Sequence, residues 1–169
     1  MKLIEAMKQI KELQVKAEDL RAKVSQYCAN LDFETPMYVN QGEQIQAWIQ
    51  SHTDINKKIL ELRFAIQKTN VATPVTIELG DKKVTKTIAE WISRRRDLAK
   101  TDQAMWEKLT DRGLKEQRVQ SAPNSPVTEI KIRRYYNPLE KDKMIELYRS
   151  EPSIIDRTLE ITNAVTDII

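Results

Sequence analysis

With 169 residues, 40% of them hydrophobic and 31% charged, the chain is long enough for one domain with a real core. Only 3 glycines and a formal charge of +3 argue against a loop-rich enzyme scaffold and against a strong sequence-independent pull toward nucleic acid. Cys28 is the only cysteine, which excludes an intrachain disulfide framework and a thiolate-rich zinc site and fits a reducing compartment.

The opening MKLIEAMKQIKEL is broken by charge every few residues, so it does not read as a secretion signal; synthesis in the cytoplasm without a signal peptide is expected. No stretch nears the ~18 to 20 apolar residues that a bilayer span requires. In this first segment Leu3, Met7, Ile10, Leu13, Ala17, Leu20, Val24, Tyr27 and Leu31 step by three or four, which predicts an amphipathic helix roughly 40 Å long. A turn-rich stretch with Pro36 and Gly42 follows. The pattern resumes at Ile45, Trp48, His52, Ile55, Ile59, Leu62, Ile66 and Thr69, predicting a second long helix folded back on the first as an antiparallel hairpin.

The period then changes from helical to alternating in VTIELGDKKVT, with Gly80 and Asp81 placed for a tight hairpin turn and Val75, Ile77 and Leu79 on one face. A two-stranded ribbon is marginal alone, and VTEIKIRRYY, with Thr128, Ile130 and Ile132 on one face, is the internal candidate for a third strand. Between them Ile88, Trp91, Leu98, Met105 and Leu109 predict a third helix, with Gly113 just past its end. SAPNSP at 121–126 reads as a loop. Asn137 and Pro138 open a last helix whose stripe is Met144, Leu147, Glu151, Ile154, Thr158, Ile161, Val165 and Ile168, and Pro152 predicts a kink or break near Glu151.

The expected fold is therefore mainly α, with long amphipathic helices paired as antiparallel hairpins and a small antiparallel β ribbon in a single elongated domain over 1–169. Its parts are a helical hairpin near 2–70, the ribbon near 74–86, the third helix near 86–113, a loop and strand near 114–136 and the last helix near 137–167.

Thr69-Asn70-x-x-Thr73 and Thr162-Asn163-x-x-Thr166 repeat one pattern, each after a run of helix formers. Threonine and asparagine compete for backbone hydrogen bonds inside helices and serve better at helix ends. Pro74 stops the first copy, so both copies are expected to dock a helix end against the same kind of surface. Taken in order, MKLIEA, IQKTNVAT, the Gly80-Asp81 turn, TKTIAEWISRRRDL, TEIKI and EITNAVTDI resemble the bacterial septicolysin family. The resemblance covers most of the chain and implies the same order of elements. It carries no catalytic role onto any residue, and the stretches Asp32 to Gly42 and RYYNP have no counterpart in it. The family name implies a cytolysin.

His52 lies on an apolar stripe, where a polar seam residue fixing helix register is the favoured role over a pH switch or ligand. Cys28 reads as a small core residue. Glu61, Glu78, Glu90, Asp97 and Asp102 sit in charged surroundings typical of solvated helix faces, and the chain shows no phosphate loop, serine elbow or histidine-pair spacing. No enzyme, cofactor or metal is expected. Arg94, Arg95, Arg96, Lys131, Arg133 and Arg134 form a candidate basic surface with Tyr135 and Tyr136 beside it. Consecutive helix positions point ~100° apart, however, and nearby acids favour ion pairing over nucleic-acid binding.

The function expected is a non-enzymatic structural subunit of a homo-oligomeric or multi-chain assembly, a bacteriophage virion component of capsid, neck or tail being the leading setting. Self-association through helix faces or the ribbon edge follows from stripes too long for a slim monomer to cover. Candidate docking residues are Thr69, Asn70, Thr73, Thr162, Asn163, Thr166, Trp91, Ile130 and Ile132. The alternatives are a septicolysin-like membrane-active cytolysin, disfavoured because Glu151, His52 and Thr158 interrupt the stripes, and a nucleic-acid-associated helical protein.

Overall fold

A computed structural model describes the whole chain, Met1–Ile169. Helical segments cover 62% of it, and the remaining regular structure is two small two-stranded antiparallel sheets. Helix α1 runs Leu3–Tyr27 and buries Leu3, Ala6, Ile10 and Ala17. Helix α2 runs Gln41–Ala72, buries Trp48, Ile59 and Thr69, and packs on α1. The helix expected to reach Leu31 stops at Tyr27, because Asn30 and Glu34 draw the chain into a turn: the Leu31 amide donates to the Glu34 carboxylate at 2.8 Å and the Glu34 amide to the Leu31 carbonyl at 3.0 Å.

Gln41 ties the two helices at this end. Its side-chain oxygen accepts the Met37 amide at 2.9 Å, and its side-chain nitrogen donates to the Tyr27 carbonyl at 2.8 Å. Tyr38 meets Tyr27 and Trp48 edge to face, and Tyr27 and Trp48 are tilted at 47°, with ring centroids 5.4 to 5.9 Å apart.

Strands β1, Pro74–Leu79, and β2, Lys82–Thr87, form the first sheet, joined by Gly80 and Asp81. Gly80 sits at φ 61°, the conformation that the first residue of a two-residue loop reserves for glycine. Val75 and Ile77 are buried on one face, and the hydroxyls of Thr76 and Thr85 bond across the other at 2.7 Å. The second sheet overturns an expectation. Strand β4, Thr128–Ile130, pairs with β3, Gln117–Val119, and not with the ribbon. The partner a few residues upstream costs less loop closure than the distant ribbon, and an Arg118–Glu129 ion pair lies across the register.

Helix α3, Ile88–Ser93, runs without a break into a π-helical turn, Arg94–Leu98, and then α4, Ala99–Glu107. That turn corrects the expected stripe. A π turn takes up one extra residue, so two turns beyond Trp91 the inward position falls on Ala99 and not on Leu98. Ala99 is fully buried, whereas Leu98 and Met105 are 49% and 72% exposed. The helix also ends at Glu107, earlier than expected, and Gly113 (φ 74°) lies outside it, within a turn closed by the Leu114 amide on the Asp111 carbonyl.

Helix α5, Pro138–Val165, starts where Asn137 caps it, the Asn137 side chain accepting the Leu139 amide at 3.0 Å. It continues through Pro152, so of the kink or break expected near Glu151 the break does not occur, although the proline has no amide to give to the helix ladder. Beyond Glu151 the buried positions are Ile155 and Leu159, one residue later than the expected Ile154 and Thr158, while Ile161 and Val165 are exposed. Steps of four from Glu151 to Ile155 to Leu159 turn the buried face about 40° per step at 100° per residue, so it drifts round the helix away from the seven-residue seam.

The chain forms two compact units. One holds Met1–Val75, Thr87–Ala89 and Leu159–Ile169; the other holds Thr76–Lys86 and Glu90–Thr158.

Two glycine substitutions separate backbone strain from helix propensity. Gly80→Ala is expected to destabilise by about 1 to 2 kcal/mol because an L residue is disfavoured at that φ. Gly42→Ala, in the first turn of α2 with nothing near the added carbon, is expected to be neutral or to stabilise by up to ~1 kcal/mol. Equilibrium denaturation of both variants checks the contrast.

Candidate functional site

Each Thr-Asn-x-x-Thr closes one helix and opens another. In the first, the Thr73 amide makes the last bond of α2 to the Thr69 carbonyl at 2.9 Å, and the Thr73 carbonyl accepts the amide of Ile88, the first residue of α3, at 3.0 Å. In the second, the Thr166 amide bonds the Thr162 carbonyl at 2.9 Å, and the Thr166 carbonyl accepts the amide of Leu3, the first residue of α1, at 2.9 Å. The two helix starts also match. Leu3 and Ala6 in one, Ile88 and Trp91 in the other, are buried at the same spacing, and Glu5 and Glu90 hold the same first-turn position.

Thr69 is fully buried; its hydroxyl donates to the Ala65 carbonyl at 2.8 Å and accepts the Ile169 amide at 2.9 Å. Beside the second junction Lys2 and Asp167 form an isolated antiparallel bridge, the Ile168 amide bonds the Met1 carbonyl at 2.9 Å, and the Lys2 ammonium reaches Asp167 at 2.7 Å. The hydrogen bond from Lys2, seconded by the Met1 amino group, holds the Asp167 carboxyl below the usual carboxylate range against partial desolvation. Asn70 and Asn163 are half-buried next to these contacts. These residues dock segments of the chain on one another.

The second unit has a buried charge cluster. Arg94, at the start of the π turn, sends its Nε to Glu151 Oε1 at 2.5 Å, one terminal nitrogen to Oε2 at 3.0 Å, and the other to Asp102 at 2.6 Å. Its guanidinium carbon lies 5.5 Å from the Tyr148 ring centre. Glu151 is 1% exposed, and both its oxygens are occupied. The Glu151 hydrogen bond raises the Arg94 pKa further still, outweighing desolvation, with Asp102 adding to it. The π turn makes the geometry workable. Residues eight apart on a regular helix stand about 80° apart, and one extra residue brings Arg94 and Asp102 to within about 20°.

Most of the remaining basic residues have acidic partners. Arg95 pairs with Asp156, and Arg96 is exposed with Asp97 at 3.9 Å. Lys131 lies 3.8 Å from Glu129, and Arg133 is exposed. Arg134 clasps Asp111 through two bonds of 2.6 and 2.5 Å, which depress the Asp111 carboxyl and raise the guanidinium. Trp91 is fully buried and belongs to the core, not to a docking surface, because the chain itself covers it. Ile130 is exposed and Ile132 half-buried.

The Arg94–Glu151 pair was legible only as an anomaly: a carboxylate on an apolar stripe must find a cation or stay outside. Which of three consecutive arginines would answer it was not. Cys28 is exposed and His52 half-buried, the latter with its ring nitrogen 3.4 Å from Asn56. No helix is long and apolar enough to cross a membrane. Comparison with protein-family models, with curated proteins and with solved structures found no match to this chain.

Arg94→Met strands the Glu151 carboxylate and is expected to cost about 3 to 5 kcal/mol in denaturant unfolding, most of it recovered in the Arg94→Met, Glu151→Met double variant. The depressed Asp167 pKa contributes stability that is present above the unfolded carboxylate range and lost as pH falls through the lower folded value. Asp167→Asn should therefore lower the melting temperature at neutral pH, with the gap to the parent protein closing in strong acid.

Proposed function

We propose that the chain is a non-enzymatic structural subunit that works by self-association. The observation carrying this reading is apolar surface left uncovered beside polar groups already spent on the fold. Between α1 and α2, Leu31, Phe33, Met37 and Val39 are all more than half exposed, in a connection held by Gln41 and the Tyr27–Tyr38–Trp48 rings. The charged residues best placed for chemistry or phosphate binding, Arg94, Glu151, Arg134 and Asp111, are engaged with one another.

In this proposal α1 and α2 form an antiparallel hairpin that acts as a stiff strut. Support comes from both ends: Tyr27 meets Gln41 and Trp48, while Leu3 and Thr69 are both bonded to the segment Thr166–Ile169. A virion capsid, neck or tail is one setting for such a strut. The membrane-active reading draws on the same loop, since Phe33 and Val39 would suit shallow insertion.

Light scattering over a range of concentration and salt tests the proposal. A discrete oligomer that persists on dilution is expected, together with no release of dye from liposomes. A stable monomer that empties liposomes would replace the assembly reading with the cytolytic one.

A further inference from the structure

We propose that the outward face of α2 is a twofold interface between two copies of this chain, with the two α2 helices antiparallel and centred on Leu60. The inference rests on the assembly reading above and names its surface. Ile49, Leu60, Phe64 and Val71 fall within about 60° of one another at 100° per residue, and about 120° round the helix from Trp48 and Ile59. Trp48 and Ile59 are buried within the chain, whereas Leu60 and Phe64 are each 68% exposed and Val71 65%. The second stripe extends roughly 33 Å at 1.5 Å per residue. Thr53 and Gln67 share the sector with these four apolar residues, and the chain leaves the stripe largely exposed.

Charge identifies the occupant. Along one flank of the stripe the residues read Asp54, Lys57, Glu61, Lys68, alternating in sign. Two helices related by a twofold axis across the seam bring like flank against like flank in reversed order. Reversal of this series sets Asp54 against the partner's Lys68 and Lys57 against the partner's Glu61, with every pair opposite in sign. Lys57 and Glu61 straddle a point one residue before Leu60, and Asp54 and Lys68 a point one residue after, so the two pairs bracket Leu60 evenly. None of these four side chains is spent on an ion pair within the chain.

The parallel arrangement does worse. It would place this flank against the opposite one, where Asn56, Arg63 and Asn70 carry a single charge. In the antiparallel arrangement Arg63 meets the partner's Asn56, so no like charges are forced together. Leu60 packs on its own counterpart, and Phe64 lies beside the partner's Asn56 and Leu60.

Sedimentation of the full chain and four variants tests the proposal. The parent protein is expected to dimerise, and Leu60→Glu with Phe64→Glu to be monomeric with an unchanged circular dichroism spectrum. Lys57→Glu, which sets two acids against each other twice, should weaken dimerisation about tenfold or more; adding Glu61→Lys should restore it to within about threefold. In a Cys28→Ser background, Leu60→Cys should give a disulfide-linked dimer under mild oxidation. A parent oligomer indifferent to Leu60→Glu with Phe64→Glu would overturn this interface and leave the assembly reading standing. A parent protein that stays monomeric at about 100 µM would overturn both. A dimer that fails to respond to the charge reversal, or to cross-link through residue 60, would overturn the antiparallel geometry.

Discussion

A helix that starts inside a protein brings amides that its own first turn cannot satisfy, and the fold depends on how two of those starts are met. In both cases the acceptor is the carbonyl of a threonine that has just ended another helix: Thr73 for Ile88, Thr166 for Leu3. The same threonine closes one ladder through its own amide and opens the next through its carbonyl oxygen. Pro74 and Thr87 lie next to the first junction in β1 and β2, and Asp167 and Lys2 hold the corresponding places beside the second. One short pattern thus performs the same structural task twice. It also explains why a buried threonine, Thr69, is tolerated: its hydroxyl has partners on both sides.

Charge in this molecule is used mainly for holding. Arg94 spends its guanidinium on two carboxylates and a ring face, with the π turn supplying the angular correction that lets Asp102 share it. A buried pair of this kind adds little net stability over an apolar equivalent, but leaving either member alone is costly, so it fixes one arrangement of these helices against others. Arg134 and Asp111 do the same on a more exposed part of the same unit, where water screens the pair and its weight is smaller. Three of the arginines that invite a nucleic-acid reading in the sequence, Arg94, Arg95 and Arg134, are thereby paired with carboxylates.

Helix α2 combines these themes. Its inner stripe is covered by the chain, and its outer stripe of Ile49, Leu60, Phe64 and Val71 is not. A helix with two apolar faces and alternating charge beside one of them is suited to a protein neighbour on each side. This is the physical basis of the proposal that the chain self-associates.

The α1 and α2 stripes were readable in outline, because burial repeats with the period of the helix: Leu3, Ile10, Ala17, Trp48, Ile59 and Thr69 are buried where the spacing puts them, whereas Ala6 is buried outside the expected stripe and Leu31, at its far end, is exposed. The Gly80 turn was readable too, since a positive φ admits few other residues. What local pattern does not contain is a one-residue change of phase. The π turn at Arg94–Leu98 and the drift after Glu151 each move the buried face by one position, to Ala99 and Ile155. Strand pairing was not readable either, because Thr128–Ile130 alternates equally well for either neighbour, and the nearer one in the chain, Gln117–Val119, costs less loop closure. Sequence therefore determined where elements form and which repeat ends them. The tertiary structure decided their phase and their partners, because those follow from contacts between residues far apart in the chain.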